Sequence, residues 1–215
     1  MSNTAREEIL GSIRSHLAAS VIYDQREHGS SRKKTDISLV SSAPICGQFK
    51  ESLEAVDGHC LIVRGDDGIA EAFTKIIRGG RIAISDNPEV ERLLHLTDLE
   101  IEELGIAPNA HDIFRFDVGI STVQAAIAET GTLVLDSTRE QHRFVSLVPP
   151  VHIAIVRASQ IYRTLAEVLS LIRKDQEISP AVTFITGPSR TADIELTLAI
   201  GVHGPQELYV IIEVN

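Results

Sequence analysis

From about residue 55 onward the sequence alternates between two hydrophobic periods, and this alternation restricts the chain to few architectures. Short β-rich runs recur at CLIVR (60–64), RIAIS (81–85), DIFRF (112–116), TLVLD (132–136), VHIAIV (151–156), VTFIT (182–186) and LYVIIEV (208–214). Between them lie stretches with helical spacing, at Ala70–Ile77, Glu89–Leu96, Thr122–Ala128 and Ile161–Ile172. Alternating strands and helices imply an α/β fold of three layers, with a mostly parallel sheet covered on both faces. One segment departs from the pattern: IELTLAI (194–200) alternates with a period of two, so it reads as a strand. With GVHGPQ as its connection, it is expected to form an antiparallel pair with LYVIIEV at the C-terminus. In open α/β sheets ligands bind beyond the carboxyl ends of the strands, so the loops that follow strands are where function is sought.

The N-terminus is organised differently. Thr4 and Glu7 have capping-box spacing, and Ile9, Leu10, Ile13 and Leu17 share one helical face. Tyr23–Ser38 is polar and includes Gly-Ser-Ser and Arg32-Lys33-Lys34, which reads as a mobile linker. The expected organisation is therefore an N-terminal helix and linker over 1–38, followed by one α/β domain over 39–215. The net charge of −10 argues against a nucleic-acid surface. Apolar windows stay far short of the ~20 residues that span a bilayer. The first residues carry acids and no apolar signal core, so a cytoplasmic location is expected. Cys46 and Cys60 are the only two cysteines, fourteen positions apart, and make neither a CxxC pair nor a four-thiolate cluster. No metal site and no intrinsic cofactor is expected, and redox chemistry would need a borrowed one.

Four loops have the residue types for chemistry. In STVQAAIAETGT (121–132), Ser121 and Gln124 fit a capping box, and Val123, Ala126 and Ile127 supply a stripe, so a short helix is expected to reach Ala128. Glu129 would then sit at a helix C-terminus, where the macrodipole disfavours an anion by ~0.3–1 kcal/mol. It is either a ligand-facing carboxylate or a tolerated surface acid. Gly131 suits the C′ turn. REQHRFVSLVPPVH (139–152) is locally basic through Arg139, His142 and Arg143. Its Pro149-Pro150 stiffens the approach to a strand, and His152 is either a hydrogen-bonded core residue or a catalytic one.

In FITGPSRTADIE (184–195) a strand ends at Gly187-Pro188, and a polar turn follows. Its amides can cradle an anion and Arg190 can clamp a carboxylate or phosphate, or else Ser189, Thr191 and Asp193 cap the local backbone. Neither GxGxxG nor GxxxxGK[ST] occurs in the chain. In IGVHGP (200–205), His203 stands between Gly201 and Gly204, as an acid or base open to a ligand or as a turn residue without a role.

AETGTLVL, SLVPPVHIAIV, GPSRTADIEL and GVHGPQELYVII, in this order and spacing, resemble the LUD domain of the lactate-utilisation protein C family. The resemblance is dense over Gly119–Val214 and looser before it. It implies a Rossmann-like fold akin to sugar-phosphate isomerases and CoA-transferases. It also implies a role in oxidising L-lactate to pyruvate in a multi-subunit system, beside two iron–sulfur partner proteins that carry the clusters this chain lacks. Residues matching the signature are Glu129, Thr130, Gly131, Ser146, Pro149, His152, Gly187, Ser189, Asp193, Glu195, His203 and Gly204, which the resemblance gathers around one cleft.

Three functions compete on this reading. The first is an accessory subunit holding a small carboxylate through Arg190 or Arg143, with His203 moving a proton. The second is a free-standing enzyme on phosphorylated or CoA-linked metabolites, with Glu129 as nucleophile or base and the Ser189 and Thr191 amides receiving the anion. The third is a non-catalytic scaffold or regulator.

Overall fold

The structure, a computed structural model, describes residues 42–138, 140–141, 143–174, 179, 181–192, 198–200 and 204–214, with positions 7, 10–12, 14 and 15. The chain divides into two compact units, residues 1–40 and 41–215. In the first unit the described positions are helical. Tyr23–Ser38 lies outside the described residues.

The second unit opens with α1 (Ser42–Glu54), β1 (His59–Arg64), α2 (Gly65–Ile76), β2 (Gly80–Ile84), α3 (Pro88–Leu94) and β3 (Ile101–Ile106). A 3-10 turn at Ile113–Arg115 leads to β4 (Val118–Thr122), β5 (Ala125–Ile127), β6 (Thr132–Asp136), α4 (Arg143–Leu147) and β7 (Val151–Arg157). A second 3-10 turn at Ala158–Gln160 precedes β8 (Ile161–Tyr162), α5 (Leu165–Lys174), β9 (Val182–Thr186), β10 (Arg190–Ala192), β11 (Leu198–Ile200) and β12 (Glu207–Val214).

Six strands form a parallel sheet in the order β1-β12-β7-β4-β2-β3. The unbroken apolar runs take its centre: Ile153–Val156 of β7 and Val210–Ile212 of β12 are buried along their length, as strands covered on both faces must be. The edge strands β1 and β3 alternate or mix exposed residues instead. One face packs against α2 and α3 through Ile69, Phe73, Val90 and Leu93. The other packs against α1 through Cys46, Phe49 and Leu53, and against a small sheet of order β8-β5-β6-β9. That sheet's outer face is closed by Val168 and Ile172 of α5. The expected α/β fold with a mostly parallel sheet is the one observed.

Several local expectations are corrected. Thr122–Ala128 is not a helix: β4 ends at Thr122 and Ala125–Ile127 is a strand. Its apolar residues met the i, i+3, i+4 template, but Ala126 and Ala128 face the large sheet while Ala125 and Ile127 face α5. A segment buried from both sides must be apolar at every position, and periodicity then loses its meaning. DIFRF is not a strand. Ile113 and Phe116 are buried three residues apart around the 3-10 turn, the spacing at which side chains of such a turn eclipse.

An antiparallel pair does lie near the C-terminus, but it joins β10 to β11. LYVIIEV is instead the parallel strand β12 between β1 and β7. Helix α1 and strands β3 and β4 had no counterpart among the runs read from the sequence.

Two glycines mark tight packing at the amino ends of the parallel strands. Gly131 has φ +63°, and a Cβ there would lie 2.4 Å from the Leu53 backbone nitrogen of α1. Gly187 has φ +74°, and its Cβ would meet the Val56 carbonyl oxygen at 2.6 Å. By contrast, nothing lies within 4 Å of a Cβ built on Gly47 in the middle of α1. Gly131→Ala is expected to cost more than about 2 kcal/mol through left-handed strain and backbone overlap. Gly47→Ala should gain about 0.5–1 kcal/mol, because glycine in a helix interior has entropy to lose. Urea unfolding of the two variants beside the parent chain checks both, and a reversed ranking would refute the packing described here.

Candidate functional site

From β2 the chain steps outward to β3 at the sheet edge, returns past β2 to β4, and then proceeds the other way through β7 to β12. The connections leaving neighbouring strands β2 and β4 therefore diverge. Where they do, no crossover covers the strand ends and a crevice opens. A polar crevice of about 240 Å³ lies here, lined by Asn87 and Glu89 after β2, Thr122, Val123 and Gln124 at the end of β4, and Glu140. Ile155, Arg157 and Gln160 at the end of β7 complete it.

Local sequence explains how these side chains are held. Asn87-Pro88 starts α3: Asn87 Oδ1 accepts the Glu89 N–H at 3.0 Å, and Pro88 needs no N–H at the first turn. Asn87 Nδ2 donates to Thr122 Oγ1 at 3.1 Å. Glu140 is only 3% exposed. It accepts the Thr122 N–H at 2.9 Å and also the Thr122 hydroxyl, so its buried charge is met by two donors from one residue. Its neighbour Gln141 donates its N–H to Asp86 Oδ1 at 2.6 Å, and the segment after β6 is thereby strapped across the ends of β4 and β2.

On the far wall, Gln160 Oε1 accepts the Arg157 N–H at 2.8 Å while Nε2 donates to the Val123 carbonyl at 2.6 Å. Arg157 is the guanidinium of the lining, paired with Glu89 at 2.5 Å and with Glu213 at 3.7 Å. Asp66 and Arg92 pair alongside at 2.6 Å. The Arg92 guanidinium holds the Asp66 carboxyl below its ordinary range, with a smaller contribution from Arg157.

The residues singled out from sequence fall in other places. One group gathers at the amino ends of the parallel strands, opposite the crevice. Thr130, Thr132 and Thr186 form a hydroxyl chain with two contacts of 2.7 Å. Arg190 is ion-paired with Asp57, just before β1. The Ser189 N–H donates to the Pro205 carbonyl at 2.8 Å, and Gly204 lies against Ser189. Thr191 is a β10 residue opposite Ala199. The polar turn after VTFIT thus lies beside Gly204 and Pro205, and Thr186 before it pairs with Thr132 next to Gly131.

Glu129 is not at a helix C-terminus. It lies in the β5–β6 hairpin, and its Oε1 accepts the Leu165 N–H at 2.8 Å at the start of α5, where the macrodipole favours an anion. Arg143 is exposed at the start of α4, while Ser146 is buried in that helix and donates to the Arg143 carbonyl. His152 is fully buried with Nε2 3.0 Å from Ser121 Oγ, as a core histidine would be, and Ser121 is therefore no helix cap. Arg139, His142, Asp193, Glu195 and His203 lie outside the described residues.

The crevice residues were missed by sequence reading, although the search rule pointed to them. Asp86-Asn87-Pro88 follows strand β2 and begins a helix, and Arg157 ends strand β7. Glu140 had no local signal, because its partner Thr122 lies 18 residues earlier.

Both cysteines are free and buried, Cys46 on α1 and Cys60 on β1. Burial pushes the Cys60 thiol up to about 12, so it is no thiolate ligand near neutral pH. Among the described residues no group of three or more His, Cys, Asp or Glu is arranged to hold a metal ion. No helix among them is long and apolar enough to cross a membrane.

Glu140→Ala is expected to cost about 1–3 kcal/mol in urea unfolding, since it strands the Thr122 donors. Glu129→Ala should instead act locally, reducing amide-exchange protection at Leu165 while the large sheet keeps its own. Equal loss across both sheets would contradict the capping role.

Residues 46–212 match the family model for the LUD domain. A Geobacillus thermodenitrificans protein named Lactate utilization protein C is 31% identical over 180 residues, covering 80% of this chain and 70% of that one. The protein of the same name from Macrococcus caseolyticus is 32% identical over 189 residues, covering 76% and 78%. An uncharacterised Neisseria meningitidis protein is 44% identical over 98 residues, and there the match spans 45% of this chain and 42% of the relative. The crystal structure of a DUF162 family protein from Deinococcus radiodurans superposes with a TM-score of 0.62 at 26% identity, over 81% of this chain and 99% of that one.

Proposed function

The chain belongs to the LUD domain family, and on that premise we propose that it serves lactate utilisation by holding a small hydroxy- or oxo-carboxylate in the switch-point crevice. The relatives named Lactate utilization protein C support the process. The observation that supports the ligand class is how the lining's polar atoms are already used. Asn87 Oδ1, Gln160 Oε1 and both Glu140 oxygens each accept a protein donor. Gln124 Oε1 accepts the Asp136 N–H, and Glu89 Oε1 accepts from Arg157. The groups with hydrogens to spare are the amides of Asn87, Gln124 and Gln160 and the Arg157 guanidinium. Such a site suits a ligand rich in acceptors. A carboxylate would take the guanidinium, and a neighbouring carbonyl or hydroxyl oxygen the amides.

The volume of about 240 Å³ suits a molecule the size of lactate or pyruvate. Phosphorylated and CoA-linked metabolites fit the charge less well, because among the described residues the lining holds one guanidinium beside Glu89 and Glu140, with Glu213 also paired to it. In this reading the chain positions the acid, and iron–sulfur partner proteins of the lactate-oxidising system handle the electrons. Arg190 is paired with Asp57 and is not part of the crevice lining, so in this reading it is no clamp for the ligand.

Calorimetric titration of the purified chain with pyruvate and L-lactate tests the site. Arg157→Ala should weaken binding about ten-fold or more, the scale of a lost charge-assisted bond. Arg190→Ala should leave it unchanged. Loss on changing Arg190 with retention on changing Arg157 would move the site to the amino-end cluster. Deleting the gene should abolish growth on L-lactate as sole carbon source, and undiminished growth would refute the role in lactate utilisation.

A further inference from the structure

We infer that Glu89 makes the crevice selective for acids of single negative charge, by competing for Arg157 and by leaving a second carboxylate without a counter-charge. The inference rests on the reading just proposed and narrows its substrate class.

The charges around the crevice are unequal. Arg157 brings one positive charge to the lining, whereas Glu89 and Glu140 bring two negative ones. Glu213 adds a third carboxylate 3.7 Å from Arg157 Nε. The guanidinium of Arg92, on the same helix as Glu89, is already bidentate on Asp66, with contacts of 2.6 and 3.3 Å. A ligand with one carboxylate can exchange places with Glu89 at the outer nitrogens of Arg157, whose side chain is half-exposed. A ligand with two finds no second cation among the described residues of the lining, and its outer carboxylate meets the field of Glu89, Glu140 and Glu213 across a small, partly enclosed space where charges are weakly screened.

The three acids are not equivalent. Glu140 is committed to the Thr122 N–H and hydroxyl, so its position is structural. Glu213 lies at the end of the central strand β12, outside the lining. Glu89 lies in the lining, touches Arg157 at 2.5 Å, and contributes only its own N–H to the Asn87 cap. Its side chain can be changed without undoing the fold of α3.

The test compares pyruvate with malonate, acids of the same carbon number and different charge, on the full chain and on Glu89→Gln and Glu89→Arg. Thermal unfolding confirms that each variant is folded. The parent chain should prefer pyruvate about ten-fold or more. Glu89→Gln should tighten pyruvate a few-fold and malonate by more, bringing the preference below about three-fold, and Glu89→Arg should reverse it. A lost group that only shaped the walls would change both affinities together and leave their ratio alone. An unchanged ratio in both variants, with pyruvate still bound through Arg157, overturns the selectivity and leaves the proposed function standing. No pyruvate binding to the parent chain overturns both.

Discussion

The insertion of the last strand between β1 and β7 is the contact on which the rest of the α/β unit depends. β1 pairs with β12, and β12 is its link to the rest of the large sheet. Strands β1 and β12, far apart in the sequence, are thus neighbours, and β1 joins the large sheet through β12. The burial of Leu208, Val210, Ile211 and Ile212 supplies the driving force, at about 1.5–3 kcal/mol for each large apolar side chain. The same insertion brings Pro205 beside Ser189, ties the Gln206 and Glu207 amides to the Pro150 carbonyl, and carries Glu213 to within reach of Arg157. Both ends of the sheet are assembled by one strand.

Those two ends have opposite character. At the amino ends the chain is packed tightly enough that Gly131 and Gly187 lie against the backbone of residues 53–56, and the polar groups there are turned on one another. At the carboxyl ends of β2 and β4 the divergence of connections leaves space, and the polar groups around it are held by bonds to backbone and to each other. The strap through Glu140 makes this end rigid. A buried carboxylate that accepts both the amide and the hydroxyl of Thr122 keeps the crevice wall in one position. Spare amide hydrogens and a guanidinium thus stand in a lining that is acidic overall, a combination suited to a small monoanion rather than to a polyanion.

The switch-point crevice and the described residues of the segments that identify the family lie at opposite ends of the large sheet. GPSRT and GVHGP are the segments through which the family is recognised, and their described residues, with Thr130 and Gly131, do converge in space. The convergence includes structural work: Gly131 and Gly187 permit close backbone contact, and Arg190 is engaged by Asp57. Glu129 caps α5 in the orientation the helix dipole favours. The apolar spacing before Glu129 fits a helix as well as it fits the doubly buried strand that is present, and only the strand turns Glu129 toward α5.

The strands β1, β2, β6, β7, β9 and β12 and the helices α2, α3 and α5 could be read from sequence because each presents a regular period or an unbroken apolar run, and such patterns report local geometry. The parallel sheet followed from their alternation. The edge strand β3, with Glu102 and Glu103, shows no such pattern, and α1 carries Pro44 and Gly47 that obscure the face made by Cys46, Phe49 and Leu53. Which strand neighbours which was not legible. LYVIIEV reads the same whether it pairs with a hairpin partner or enters the middle of a parallel sheet, because hydrophobicity records burial and not the identity of the neighbour. The crevice likewise exists only through strand order. By itself the sequence determined the α/β class and the family; tertiary structure alone decided that β2 and β4 diverge, and that Thr122, Glu140 and Arg157, distant in the chain, would face one space.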